Sequence, residues 1–433
     1  MSTVALAAIA IFAITYALIA TERVHRLTAA LGGVAAMTVI GLVDADGAFF
    51  DHETGVDWNV IFLLFGMMVI VSVLKQTGLF EFLALWAAQA SGGRPGRLMA
   101  LLMLITAGLS PVLDNVTTVL LVAPVALSVT ARLGLSPVPY LIALVFASNV
   151  GGMGTLIGDP PNIIIASRGG LSFNDFLVHA LPITVILVAA LVVLCLVLFR
   201  RELRVPGLQV RDDVTDLAPR AAIADGALLA RCLVVLAVVM VAFGLHTVLH
   251  LDPSVVAMLG AGAMVAVSGS TPEEFLEEVE WVTLAFFMAL FVLVGGLVEV
   301  GVIGDLGSWA AGALGERELL ASSVLLFGSA VAGAFVDNIP YTAAMVPIVA
   351  DMVAASPQTG AGSPLWWAFV FGADLGGNTT AVAAGANVVV LGIAAKAGHP
   401  ISFWRFTKHG VVVTFATLVI SWLYVWLRYF VFA

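Results

Sequence analysis

Asp114-Asn115-Val116-Thr117-Thr118 stands inside one apolar stretch of the chain, and Asp337-Asn338-Ile339-Pro340-Tyr341-Thr342 stands inside another. Pro124 follows the first and Pro347 the second. Roughly 35 residues beyond each comes a glycine-rich break, Gly151-Gly152-Met153-Gly154-Thr155 and then Gly376-Gly377-Asn378-Thr379-Thr380. An asparagine trails each break at the same spacing, Asn162 and Asn387. Carboxylates, amides and glycines are costly in lipid, so paired copies of them point to a polar site built between two halves of a membrane protein.

The duplication extends well beyond the motifs. An offset of 223 residues carries Val56-Asp57-Trp58 onto Val279-Glu280-Trp281, Gly78 onto Gly301, Trp86 onto Trp309 and Asp114-Asn115 onto Asp337-Asn338. After a shift of two, Gly151-Gly152 falls on Gly376-Gly377 and Asn162 on Asn387. Register held over such a length marks an internal repeat. Residues 1–205 and 226–433 are therefore read as two repeats, joined by a polar cytoplasmic linker at 206–225.

Of the 433 residues, 61% are hydrophobic and only 11% charged, against about 25% charged in soluble domains. Many apolar runs approach the roughly 20 residues that cross a bilayer. The fold class expected is an all-α polytopic membrane protein, and the alternating strands of a β-barrel are missing. The formal charge of −10 is spread among loops, and without a basic run it suggests no nucleic-acid partner. Cys195 and Cys232 are isolated in apolar sequence, which suggests neither a metal centre nor a disulfide framework. No Gly-x-x-x-x-Gly-Lys-Ser/Thr phosphate loop occurs, so a primary pump acting alone is not expected; the reading is of a transporter, not an enzyme, without a cofactor. The apolar run over 4–20 lacks a basic leader and reads as a retained span.

Each half reads alike. Spans over 4–20, 27–43 and 58–75 match 228–248, 254–270 and 281–299, and amphipathic pieces follow at 79–92 and 302–314. The motifs divide 98–131 and 319–353 into arms near 15 residues, too short to cross, which predicts re-entrant hairpins with the motifs at their tips. Broken helices are predicted over 137–168 and 365–395, and closing spans over 177–200 and 410–430. Five crossings per half make the repeats inverted. With the N-terminus outside, Arg23, Arg26, Lys75, Arg94, Arg97, Arg132, the group from Arg200 to Arg231, Lys396, Arg405 and Lys408 fall on the cytoplasmic side, and only Arg168, Arg317 and Arg428 fall outside.

Non-helical backbone is tolerated at membrane depth only where protein or water satisfies it. The glycines permit such breaks, and Asp159-Pro160-Pro161 enforces one. Two tips and two breaks are expected to converge on one site. Its candidate binding residues are Asp114, Asn115, Thr117, Thr118, Asn149, Gly151, Gly152, Thr155, Asp159, Asn162, Asp337, Asn338, Thr342, Asp374, Gly376, Gly377, Asn378, Thr379 and Asn387. A single Asn or Thr in a membrane helix often serves only as helix–helix glue, whereas the duplicated Asp114 and Asp337 favour a functional role as proton carriers. Asp159 maps to Ala384 and Asp374 to Asn149, so the site is asymmetric. Four acids with no basic residue in either motif suit protons, a monovalent cation such as sodium, or a neutral hydroxylated solute better than a dianion alone. A carboxylate withheld from water binds its proton more readily, which is a route to proton coupling.

Leu113-Asp114-Asn115-Val116-Thr117-Thr118, Ile157-Gly158-Asp159-Pro160-Pro161-Asn162, Val336-Asp337-Asn338-Ile339-Pro340 and Gly376-Gly377-Asn378 resemble the ion transporter superfamily, most closely its arsenical-pump and P-protein (citrate-transporter-like) branch. Asp114 and Asp337 stand where the carboxylate-symporter branch has serine. The resemblance implies a scaffold and a transport domain in each half, a homodimer formed through the early spans, and elevator-like movement. It also implies a secondary transporter in a prokaryotic plasma membrane, with proton-coupled export of arsenite or antimonite as the leading expectation. The alternatives are a sodium/proton or other inorganic-ion antiporter and a sodium-coupled di- or tricarboxylate symporter. Partners implied are a small inorganic solute, the lipid bilayer and, for an arsenical pump, a separate ATPase.

Overall fold

The computed structural model describes residues 3–21, 23–51, 54–204, 219–314 and 317–432, and all regular structure among them is helical. Residues 205–218, most of the expected linker, lie outside the described residues. The first half comprises α1 (Thr3–Thr21), α2 (Arg26–Val39), α3 (Ala45–Phe49), α4 (Trp58–Gln76), α5 (Leu79–Ser91), α6 (Pro95–Leu113), α7 (Asn115–Arg132), α8 (Val138–Gly152), α9 (Pro160–Gly169), α10 (Phe173–His179) and α11 (Leu181–Leu198). The second comprises α12 (Gly226–Leu249), α13 (Pro253–Ser268), α14 (Pro272–Leu276), α15 (Trp281–Glu299), α16 (Val302–Leu314), α17 (Glu318–Gly333), α18 (Asn338–Ala354), α19 (Pro364–Gly376), α20 (Gly385–Lys396) and α21 (Phe403–Trp426).

Local chemistry sets these boundaries. Asp57 caps α4 by accepting from Val60 N, and Asp225 caps α12 by accepting from Ala227 N and Leu228 N. Pro95 opens α6 at a position where a missing N–H costs nothing. Gly78 and Gly92, both with positive φ, bracket α5. Among the described residues eight helices are long and apolar enough to cross a membrane: α1, α4, α6, α7, α11, α12, α15 and α21 with its continuation to Val431. On α12, Val234, Val238 and Val241 are more than 60% exposed, a face suited to lipid.

Two expectations need correction. The arms of the first hairpin are longer than expected, α6 and α7 having 19 and 18 residues, whereas α17 and α18, with 16 and 17, stay close to the expected length. In the first hairpin, helix starts before the apolar run, at Pro95, so a first turn bearing polar residues lengthens the arm and length alone does not forbid crossing there. Conversely, the spans expected over 27–43 and 254–270 are helices of 14 and 16 residues, closed near the positive-φ glycines Gly41 and Gly269.

The halves interlock. α9 packs on α18 and α20 on α7, so the helix after each break lies against the hairpin of the other half. The same exchange joins the early spans, with α4 on α13 and α15 on α2. Close backbone crossings repeat as well. A Cβ on Gly151 would meet Ala107 O at 2.5 Å, and one on Gly376 would meet Ala330 Cα at 2.9 Å.

Candidate functional site

Each break is held open by the same hydrogen bonds. Asn162 Nδ2 donates to Thr155 O at 3.0 Å and Gly152 O at 3.5 Å, and Asn387 Nδ2 donates to Thr380 O and Gly377 O, both at 2.7 Å. Thr155 Oγ1 donates to Pro111 O and Thr380 Oγ1 to Ala334 O, tying each break to the first arm of its own hairpin. These side chains take the carbonyls that a break leaves without helical partners. Thr379 Oγ1 donates to Thr414 Oγ1 on α21. Thr118 Oγ1 donates back to Asp114 O.

Amides join the two halves. Asn115 Nδ2 donates to Asp159 Oδ2 at 2.8 Å and to Asn149 Oδ1 at 3.1 Å. Asn149 Nδ2 in turn donates to Asn378 Oδ1 at 3.0 Å and to Asn387 Oδ1 at 3.2 Å. Asn338 N donates to Ala383 O, fixing the second tip to the second break. Asn115, Asn149, Asp159, Asn162, Asn338, Thr342, Asp374, Asn378 and Asn387 are all at most 2% exposed.

In front of this layer lies a cavity of about 480 Å³ lined by Asp114 and Asp337 together with Arg26, His25, Glu280, Thr283, Val116 and Ile339. The N-terminal ends of α9 and α20 reach it through Pro160 and Gly385. Asp337 meets Arg26 Nη1 at 3.4 Å. Asp114 has no such cation among the described residues. Its carboxylate accepts from Thr117 N at 2.8 Å and Thr117 Oγ1 at 2.6 Å, and Glu280 and Asp159 add negative potential around it. Its backbone, at φ 73° and ψ 159°, occupies a region costly for any residue with a Cβ.

Of the residues expected from the sequence, Asp114 and Asp337 line the cavity itself. The amides, Asp159, Asp374 and Thr342 form the buried layer behind it, while Gly151, Gly152, Gly376 and Gly377 serve close backbone contacts. Arg26, His25 and Glu280 were not among the candidates. Arg26 was expected among the cytoplasmic cations, but α2 starts at Arg26 and turns it into the cavity beside Asp337. Its only signal in the sequence was a basic residue at a span end. Glu280 carried a better one, as the repeat mate of Asp57.

Known proteins place this architecture. A family model described as citrate transporter, CitMHS, matches residues 16–372. An uncharacterized transporter of Mycobacterium tuberculosis is 52% identical over 98% of this chain and 99% of its own. A 46 kDa membrane protein of Mycobacterium leprae is 50% identical over 98% and 99%. The human P protein is 34% identical over 96% of this chain, which spans 58% of that protein's length. Among solved structures, the Alcanivorax borkumensis YdaH transporter, described as having an unusual topology, shares the fold at a TM-score of 0.58 and 16% identity, with 99% of both chains covered. The chain belongs to the CitMHS citrate transporter family and is a multi-pass membrane transporter.

Proposed function

We propose that the chain is a proton-coupled secondary transporter that exports a small inorganic solute by alternating access, with arsenite or antimonite the leading cargo. The observation that carries this reading is the meeting of Asp114 and Asp337 in one cavity. Asp337 meets Arg26, whereas Asp114 has no cation beside it among the described residues, so the balancing charge comes from a proton or from the cargo. Asp114 and Asp337 are the proton carriers, and Asn115, Asn338 and Thr117 shape the tips around them.

The acids outnumber the cations around the cavity, which disfavours a multiply charged anion. Arsenite is an uncharged trihydroxide at neutral pH and suits hydrogen bonding to carboxylates and hydroxyls. Alternating access is supported by unequal repeat mates. Asp57 accepts from Ser167 Oγ at 2.5 Å and lies 4.0 Å from Arg168 Nε, closing α9 against α4. Its mate Glu280 faces the cavity and accepts from Thr283 of its own helix. An inverted arrangement in the plasma membrane, with the N-terminus outside, puts the cavity on the cytoplasmic side. Dimerisation through the early spans, elevator-like movement and docking of a separate ATPase are further parts of this reading.

Carboxylate symport is the competing reading, favoured by the family's description and by Arg26 in the cavity wall. Proteoliposomes offered arsenite, sodium and succinate or citrate in turn, with and without a pH gradient, separate the readings. Proton-driven arsenite movement that is lost in Asp114→Asn supports the proposal. Sodium-driven citrate uptake, or sodium/proton exchange indifferent to arsenite, defeats it.

A further inference from the structure

Three helix ends meet at one surface of the molecule, away from the cavity. A Cβ on Gly96, in the first turn of α6, would meet Leu196 Cδ2 at 3.5 Å, so α6 begins where α11 ends. The end of α11 also meets the start of α21. Phe199 stacks on His409 with ring centroids 4.7 Å apart, and Arg405 Nη2 donates to Glu202 Oε2 at 2.7 Å. Arg94 and Arg97, Arg200 and Arg201, and Arg405 and Lys408 stand at these three ends. Glu202 is the one acid at them among the described residues, and Arg405 holds it. The other five cations are exposed and find no acid at these ends among the described residues.

The repeat shows that this charge is not a by-product of the fold. Arg94 maps onto Arg317, which Glu318 follows, and Arg97 maps onto Leu320. At the far end of α21, Arg428 is already engaged: its Nη1 donates to Tyr424 Oη at 2.7 Å, and its guanidinium lies over the rings of Tyr424 and Tyr429. The surface beside the cations is apolar. On α11, Val193 and Val197 are exposed, and Arg200 follows within a turn. On α21, Trp404 and Phe415 are 76% and 67% exposed, and Lys408 lies between them on the same face, four and seven residues away. A cation at the end of an exposed apolar stripe matches a headgroup and its chains, and tryptophan favours headgroup depth.

We propose that the joined ends of α6, α11 and α21 bind the phosphate headgroup of an anionic phospholipid, whose acyl chains lie along the exposed faces of α11 and α21. Guanidinium groups match phosphate oxygens in paired hydrogen bonds. A zwitterionic headgroup brings its own cation and leaves the cluster uncompensated, whereas each cation near the surface favours an anionic lipid by about fivefold. The site rests on the chain spanning a membrane and is independent of its cargo. In the orientation proposed above it faces the cytoplasmic leaflet. α11 packs on α8 and α21 on α19, so a lipid held here braces the helices that lead into both breaks.

The test is lipid binding to the purified full-length protein in a neutral detergent, read by native mass spectrometry and by melting. Phosphatidylglycerol, phosphatidylcholine and free glycerol phosphate are titrated in turn, at low and at high salt. Wild type is expected to hold phosphatidylglycerol about tenfold or more tighter than phosphatidylcholine, to melt higher with it, and to lose part of the preference in high salt. Arg97→Gln, Arg200→Gln and Lys408→Gln combined leave the Arg405–Glu202 pair intact and should weaken phosphatidylglycerol binding by about 10- to 100-fold. The charge-matched control, Arg23→Gln, Arg231→Gln and Arg317→Gln combined, should bind as wild type does. Wild type without a preference for phosphatidylglycerol overturns the proposal, and this arm decides even if a variant fails to fold. Equal losses in the triple variant and its control overturn it as well. Glycerol phosphate binding as tightly as the lipid would mark a free-phosphate site, and disulfide cross-linking of two copies through Lys408→Cys would mark a subunit interface; either result overturns the lipid assignment.

Discussion

Asp114 and Asp337 are repeat mates that face one cavity in unlike circumstances. Asp337 caps α18 from an ordinary extended backbone at φ −48° and meets Arg26 at 3.4 Å. Asp114 caps α7 at φ 73° and is held by Thr117 of its own helix. Among the described residues, one acid has a cation beside it and the other has none, so different groups balance their charges.

Arg26→Gln leaves Asp337 without its cation. The partly exposed pair contributes about 1 kcal/mol or less to stability, so the larger effect is expected on proton-driven transport, a loss of about tenfold or more. Combining it with Asp337→Asn removes both charges and should restore melting toward wild type without restoring transport. Melting and flux measured on the two singles and the double check this, and a fully active Arg26→Gln contradicts it.

Replacing Asp114 separates its backbone from its carboxylate. Asp114→Gly and Asp114→Ala both remove the acid and should both abolish proton-driven flux. Glycine tolerates the positive φ and is nearly as good a cap, so Asp114→Gly should be more stable than Asp114→Ala by about 1–3 kcal/mol. Thermal unfolding in detergent reads the difference, and equal stability would show that the tip relaxes.

The contact of Asp57 with Ser167 and Arg168 closes the side away from the cavity. Arg168→Gln weakens this closure by about 1 kcal/mol, worth roughly fivefold in population. The buried Ala166 lines a separate pocket of about 280 Å³ on that side and can carry a reporter as Ala166→Cys, since Cys195 and Cys232 are themselves buried. An impermeant thiol reagent should label it several times faster in the Arg168→Gln background. Unchanged labelling would remove the contact from the gating scheme.

Gly410 of α21 lies against the second break, where a Cβ would meet Asn378 O at 2.3 Å and Thr379 O at 2.4 Å. Gly410→Ala should cost about 1–3 kcal/mol and slow transport with it. Gly262 of α13 has nothing within 4 Å of such a Cβ, so Gly262→Ala should be neutral or stabilising by up to about 1 kcal/mol. Parallel melting curves test the pair, and similar losses at both glycines would show that the break is not the cause.

Asp225 lies outside the membrane spans, where the N–H groups of Leu228 and Ala227 hold its carboxyl below the usual carboxylate range. Its contribution to stability is complete above the ordinary carboxylate pKa and fades as pH falls through the lowered one. The melting difference between wild type and Asp225→Ala should be constant near neutrality and shrink toward zero in acid. A difference that grows in acid would reverse the sign.

The sequence on its own determined the helical membrane class, the repeat and the identity of most polar residues at the junction. Apolar composition and an offset that carries Asp114 to Asp337 are linear properties of the chain. Hydropathy understates the first hairpin's arms because it counts apolar runs, while Pro95 starts its helix earlier through backbone chemistry that hydropathy does not register. Only the tertiary structure decided which polar groups meet. Arg26 reaches Asp337 across 311 residues, and Asn149 reaches Asn378 across 229. The physical reason is that a carboxylate's partner is set by distances of a few ångströms after two interlocked halves have packed, whereas repeat and composition are fixed before any packing occurs.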